Sequence, residues 1–146
     1  MPRLRGIHHV KFPVSDLAVS RAWYEKVFGF EATLEFPDED GVVRGVAGTA
    51  KGLGESFLGL RENPDAAAGF RGFDPVGFGV EDRAAAEEWA SHLDRLGIEH
   101  SPVIDATIGW ILVFHDPDGT QIRLCSFAEH GIDQTGRKGY GRTADA

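Results

Sequence analysis

The sequence predicts an α+β fold built from two copies of one strand–helix–three-strand module. Three observations lead there. Sliding the chain over itself by 66 positions lays HVKFPVSD (9–16) on PVGFGVED (75–82), so that Val10 meets Val76, Phe12 meets Phe78, Val14 meets Val80 and Asp16 meets Asp82; Trp23 then meets Trp89. At an offset of 64, FLGLRE (57–62) resembles QIRLCS (121–126). Several matches in the same order indicate a duplicated supersecondary unit. Within each copy, a stretch alternating with period two runs directly into one with helical period.

The elements follow in order. Residues 6–14 alternate as a half-buried strand. Ser15 or Asp16 then caps a helix, its side-chain oxygen accepting an otherwise orphan backbone N–H, which stabilises by about 1 kcal/mol. The helix is LAVSRAWYEKVF, with Leu17, Trp23, Tyr24, Val27 and Phe28 as its apolar stripe. Gly29 stops it in the left-handed conformation. Strands are expected at 30–36, 42–48 and 56–62, with PDEDG (37–41) as a turn. ENPDAAAGFRG (62–72) reads as a linker. The second copy has a strand at 75–81, Asp82 as cap, the helix RAAAEEWASHLDRL, Gly97 as stop, and strands at 98–104, 109–115 and 120–127. DPDG (116–119) is a hairpin turn, its proline presetting φ and its glycine accepting a positive one. The repeats occupy 6–62 and 73–128 of a single domain, 1–128. The remainder, 129–146, is rich in glycine and charge and is expected to be a flexible polar tail. Trp23 and Trp89, at matching positions on the two helices, are expected in the core.

Composition narrows the functional classes. The chain has 146 residues, 42% of them apolar, enough for a real core. A formal net charge of -8 argues against nucleic acid, which needs a basic face. Cys125 is the one cysteine, so no intrachain disulfide forms, which suits a reducing cytoplasm. MPRLRGIHH lacks the apolar run of a signal peptide, and no stretch is long enough to span a membrane. The expected location is cytoplasmic.

Two motifs frame this arrangement: HVxxxVxD opens the first module, and FxDPDGxxIxL closes the second. Together with the duplication they resemble the vicinal oxygen chelate superfamily, the glyoxalase, bleomycin-resistance and extradiol-dioxygenase group, over about residues 6–127. The resemblance implies two βαβββ modules forming a cup-shaped mixed sheet with the helices outside, often completed by a homodimer. It leaves the activity open, because the superfamily hosts several chemistries as well as non-catalytic binders.

In the enzymes of this superfamily a metal sits in the cup, held from the first and last strands of each module. The first position is a histidine seven residues before the helix-start aspartate, which is His9 before Asp16. His8 is out of place for it. The repeat offset puts Pro75 at the second position, and Pro75 has no side-chain donor. The closing glutamate belongs four residues after the glycine of DPDG, where this chain has Arg123, and the first-module equivalent is Gly59. A dication and an arginine about 4 Å apart repel by roughly 8 kcal/mol at an effective dielectric of about 20. His9 is thus the only matching metal position, and no metal or other cofactor is expected. His115, beside Asp116, reads as turn structure rather than a replacement ligand.

Strand alternation then assigns faces. Val10, Phe12, Val14, Val76, Phe78, Val80, Ile122 and Leu124 face the core. His9, Lys11, Pro75, Gly77, Gly79, Gln121, Arg123 and Cys125 face the cup, with Phe57 and Gly59. Glycines inside strands often mark close approach of another group. Gly59, Gly77 and Gly79 either leave room for a ligand or relieve crowding in a bent sheet. In the first case Phe57 and Trp110 are stacking surfaces and His9, Lys11 and Arg123 polar anchors for a small organic, aromatic ligand. In the second, Trp110 is a core or dimer-contact residue. Arg123 needs a carboxylate, a phenolate or water opposite it.

Three functions compete. The first is a binding protein of the bleomycin-resistance type, sequestering a drug or natural product without a metal, and so conferring antibiotic resistance. The second is a glyoxalase-like or dioxygenase-like enzyme (lyase, isomerase or thiol transferase) acting on a small organic substrate. The third is metal-free catalysis, with His9 as general base and Arg123 stabilising an oxyanion.

Overall fold

The computed structural model describes residues 1–144. The chain divides into two compact units, Met1–Phe73 with Asp116–Thr120, and Asp74–His115 with Gln121–Ala146. Each is built on a four-stranded mixed sheet, and the architecture is α+β.

The first unit runs β1 (His9–Val14), α1 (Leu17–Phe28), β2 (Glu31–Pro37), β3 (Val43–Thr49), β4 (Phe57–Glu62) and a short α2 (Pro64–Gly69). Its sheet order is β1-β4-β3-β2, with β1 parallel to β4 and the other pairs antiparallel. Phe12, Val14, Val46, Leu58 and Leu60 are buried, with Leu17, Tyr24 and Val27 of α1. Asp16 is the cap, accepting from the Val19 amide at 3.1 Å. Gly29 ends the helix at φ 64, a conformation in which a Cβ would be strained.

The second unit runs β5 (Gly77–Val80), α3 (Arg83–Arg95), β6 (Ile104–Asp105), β7 (Gly109–His115) and β8 (Gln121–Glu129), in the order β5-β8-β7-β6. Asp82 caps α3 through the Ala85 amide at 2.9 Å. Phe78, Val80, Leu112, Phe114, Ile122 and Leu124 form the apolar face, with Ala86 and Leu93 of α3.

Four local expectations are corrected. β1 begins at His9 rather than at residue 6. Residues 64–69, expected as linker, form α2, because the Asn63 side chain caps the Ala66 amide and Pro64 stands in the first turn, where no N–H is missed. The strand expected at 98–104 shrinks to Ile104–Asp105 and an isolated bridge, His100↔Phe114. There the Ser101 hydroxyl accepts from the Val113 amide, and Pro102 has no N–H with which to extend a ladder. Trp23 and Trp89 are half-buried rather than core. On α1 the fully buried position belongs to Tyr24, about 100° further round the helix.

Residues 130–141 carry no regular element and lie along 105–108. His130 bonds to the Ala106 carbonyl, Gln134 is buried beneath the carbonyls of Asp105 and Ala106, and Arg137 pairs with Asp105. The end of the expected tail, residues 145–146, lies outside the described residues. No helix among the described residues is long and apolar enough to cross a membrane.

Candidate functional site

One face of the first-unit sheet is a trough, and the strand register shows why. Lys11, Gly59, Ala47 and Leu34 are paired in one row across β1, β4, β3 and β2. Pro13, Arg61, Gly45 and Phe36 form the next row. Paired residues share a face, so Gly59, Ala47 and Gly45 make a low floor between large side chains at the edges. The result is a pocket of about 380 Å³. Leu34 and Phe36 form one wall, although both remain about half exposed. His8, His9 and Phe57 close one end.

Two cations reach over that floor. The Lys11 stem lies across Gly59, where a Cβ would stand 3.6 Å from its Cγ. Arg61 lies across Gly45, where a Cβ would stand 3.3 Å from its Cδ and 3.4 Å from its Nη1. Neither has an ion-pair partner among the described residues. Among the described residues no carboxylate lines the pocket. Glu35 and Glu62 of the same strands face the other side, and Glu31, paired with Thr49 at the end of β2, is not among the residues lining the pocket. Glu62 accepts from the Leu17 amide and from Arg44 (2.6 Å), which hold its carboxyl below the usual range; Arg44 also bonds Asp38. Glu35 is paired with Val46 and faces Arg21 at 3.6 Å.

The two histidines touch. His8 Nδ1 and His9 Nδ1 are 3.0 Å apart, and the His8 ring tilts against Phe57 at 5.7 Å. The nitrogen contact is a hydrogen bond only when one Nδ1 carries a proton and the other does not.

The four positions at which the resemblance places the metal ligands of the superfamily's enzymes do not fit a metal. His9 is an imidazole on the pocket, Gly59 has no side chain, and Pro75 has no donor. Arg123 is a cation already engaged by Gln121 at 2.7 Å and by Asp74 at 3.4 Å. Among the described residues no cluster of three or more His, Cys, Asp or Glu is placed to share an ion.

Of the residues singled out from sequence, His9, Lys11, Phe57 and Gly59 are brought together in this pocket. Gly77, Gly79, Trp110 and Arg123 belong to the second unit. There Gly79 is not open space: the Phe127 ring lies where a Cβ would go, and at Gly77 a Cβ would stand 3.5 Å from the Cys125 sulfur. Burial raises the Cys125 thiol above its ordinary value. Trp110, expected beside Phe57 as a stacking surface, has the Arg83 guanidinium 4.5 Å above its ring and His130 at its edge. Arg123 shares a strand face with Gln121 and Cys125, opposite Ile122 and Leu124. Sequence reasoning missed Arg61, Leu34, Phe36 and the floor residues Gly45 and Ala47. Carrying the alternation from Phe57 and Gly59 one step further finds Arg61; the turn at 37–41 signals that β2 pairs with β3, but the register shifts between Ala32 and Leu34 and between Phe36 and Pro37, which place Leu34 and Phe36, have no sequence signal.

A family model described as "Glyoxalase/Bleomycin resistance protein/Dioxygenase superfamily" matches residues 6–124. No curated protein matches the sequence. Among solved structures, a glyoxylase/bleomycin resistance protein/dioxygenase domain from Frankia sp. EAN1pec is 24% identical, with a TM-score of 0.64 over 85% of this chain and 98% of that one. TnmS3, an antibiotic binding protein from Streptomyces sp. CB03234, is 21% identical with a TM-score of 0.69, covering 86% and 98%. A lactoylglutathione lyase from Agrobacterium tumefaciens is 21% identical with a TM-score of 0.67, covering 86% and 96%. At these identities the likeness is one of fold.

Proposed function

The chain belongs to the glyoxalase/bleomycin resistance protein/dioxygenase superfamily, and on that premise we propose that it is a small-molecule binding protein whose first-unit pocket holds an organic compound such as a natural product or drug. The observation that carries this reading is the trough itself: a floor of glycine and alanine between aromatic and aliphatic walls, the lining expected of an organic-ligand site. The antibiotic-binding relative supports binding as the role. The misfit of the metal positions weighs against the metal-dependent enzymes of the superfamily. The reading includes pairing of two copies and a cytoplasmic location, the latter supported by the lone cysteine; light scattering on the purified protein tests the pairing.

The neutral fluorophore N-phenylnaphthylamine tests the pocket. It is expected to bind with one site per chain and to lose most of its affinity in Phe36→Ser and Phe57→Ser. Absence of binding, or binding indifferent to both substitutions, overturns the reading.

A second reading is metal-free turnover in the same pocket, favoured by the two imidazoles of His8 and His9 that line it, 3.0 Å apart at Nδ1, as candidate proton-transfer groups. It predicts deuterium incorporation from D₂O at an acidic C–H of a bound carbonyl compound, abolished in the His8→Phe, His9→Phe double variant.

A further inference from the structure

We infer that the ligand of this pocket is an anionic aromatic compound, an arene bearing a carboxylate, phenolate or sulfonate, held with its ring on the apolar wall and its charge between Lys11 and Arg61. The inference rests on the binding reading above and specifies the ligand's chemistry.

Its basis is an asymmetry of charge between the two faces of one sheet. On the face turned from the pocket, cations and acids meet each other: Arg44 with Glu62 and Asp38, and Arg21 with Glu25 and Glu35. On the pocket face, Lys11 and Arg61 have no ion-pair partner among the described residues. Both lean the same way, Lys11 from β1 over Gly59 of β4, and Arg61 from β4 over Gly45 of β3. That direction is toward β2, whose Phe36 is paired with Gly45 in the row of Arg61 and whose Leu34 lies in the row of Lys11. Glycine is what lets each stem lie flat; a side chain on the floor would lift the cation. A guanidinium presents a planar fork suited to a two-oxygen anion, and the lysine adds a mobile point charge. The histidines at the closed end add a further N–H donor when they bond as a pair. The chain's overall charge of -8 is no obstacle, because the field inside a concave site follows its nearest groups.

Two fluorophores sharing one aromatic skeleton provide the test: anilinonaphthalene sulfonate carries an anion, and N-phenylnaphthylamine does not. Titrations use the full chain in its parent form and as Lys11→Met, Arg61→Met, the double variant, and Lys26→Met, which removes the same charge from the exposed face of α1. The sulfonate is expected to bind the parent at least tenfold tighter than the neutral dye. It should lose about fivefold in each pocket variant and more in the double, as expected for partly exposed ion pairs. The neutral dye should change by less than about twofold throughout, and Lys26→Met should leave both unchanged. Added salt should weaken the sulfonate alone. Equal affinity for the two dyes, or a sulfonate preference that survives the double variant, overturns the inference while leaving the pocket reading standing. A loss in Lys26→Met equal to that in the pocket variants overturns it as a mere net-charge effect. If the neutral dye does not bind, the pocket reading fails and the inference with it.

Discussion

The Tyr24 hydroxyl donates to Oδ2 of Asp116 at 2.9 Å, inside the first unit. The other carboxylate oxygen accepts from the Asp118 amide at 2.9 Å and the Thr120 amide at 3.0 Å. Burial raises the Asp116 carboxyl above its ordinary value, and these bonds oppose the rise, the tyrosine's foremost. Because the folded-state value is raised, protonated Asp116 is favoured by the fold. Its stabilising contribution is complete below the ordinary carboxylate range and is lost as pH climbs through the raised value.

Tyr24→Phe removes the strongest opposing bond and lifts the carboxyl further. The variant is expected to be about 1–3 kcal/mol less stable at neutral pH. Its deficit should narrow on acidification, as the carboxyl protonates and needs fewer donors. Urea unfolding of parent and variant near neutrality and in mild acid measures both effects; a deficit that widens in acid would refute this account of the pair.

Gly48 faces the backbone of β2. A Cβ there would overlap the Glu31 carbonyl oxygen, beside the register shift between Ala32 and Leu34. Backbone cannot swing aside, so Gly48→Ala is expected to cost about 3 kcal/mol or more. Because β2 carries the wall of Leu34 and Phe36, dye affinity should fall even below the unfolding transition. Thermal unfolding together with neutral-dye titration reads both.

At Gly79 the obstacle is a side chain. The Phe127 ring occupies the space of a Cβ, yet it is 81% exposed and free to rotate. Gly79→Ala and Phe127→Ala are therefore expected to be coupled by about 0.5–1 kcal/mol, the alanine being better tolerated once the ring is gone. A double-mutant cycle in urea measures it; strict additivity would mean that the ring does not rest on the glycine in solution.

Both ring nitrogens of His100 face oxygen acceptors, Nδ1 the Ser101 carbonyl at 2.6 Å and Nε2 the Asp94 carboxylate at 2.7 Å. Only the imidazolium donates to both. The Ser101 carbonyl chiefly, and then Asp94, raise its pKa above 6.5. The stabilisation is complete below that ordinary value and is lost as pH rises through the folded one. His100→Ala should therefore be destabilised more at pH ~6 than at pH ~9, by a difference in Tm of about 2 °C, since Asp94 is exposed. Paired melting curves at the two pH values check this.

What the sequence determined by itself was local and periodic. The duplication, the two capped helices, their glycine stops and most strands were legible because alternation, helical spacing and capping chemistry act within a few residues. The same alternation put His9, Lys11, Phe57 and Gly59 on one side of their strands. Only the tertiary structure decided what stands opposite them. The pocket exists because β4 pairs with β3, and β3 with β2, in a register that brings Gly45, Ala47, Leu34 and Phe36 into line with Arg61 and Gly59; the turns mark which neighbouring strands pair, but the register shifts at Ala32/Leu34 and Phe36/Pro37 that aim the β2 side chains are set by packing. Arg123 shows the converse. Its sequence position called for a carboxylate, a phenolate or water opposite it, and only the fold shows that Asp74 at 3.4 Å and Gln121 at 2.7 Å stand there, while the cations on the first-unit pocket are Lys11 and Arg61.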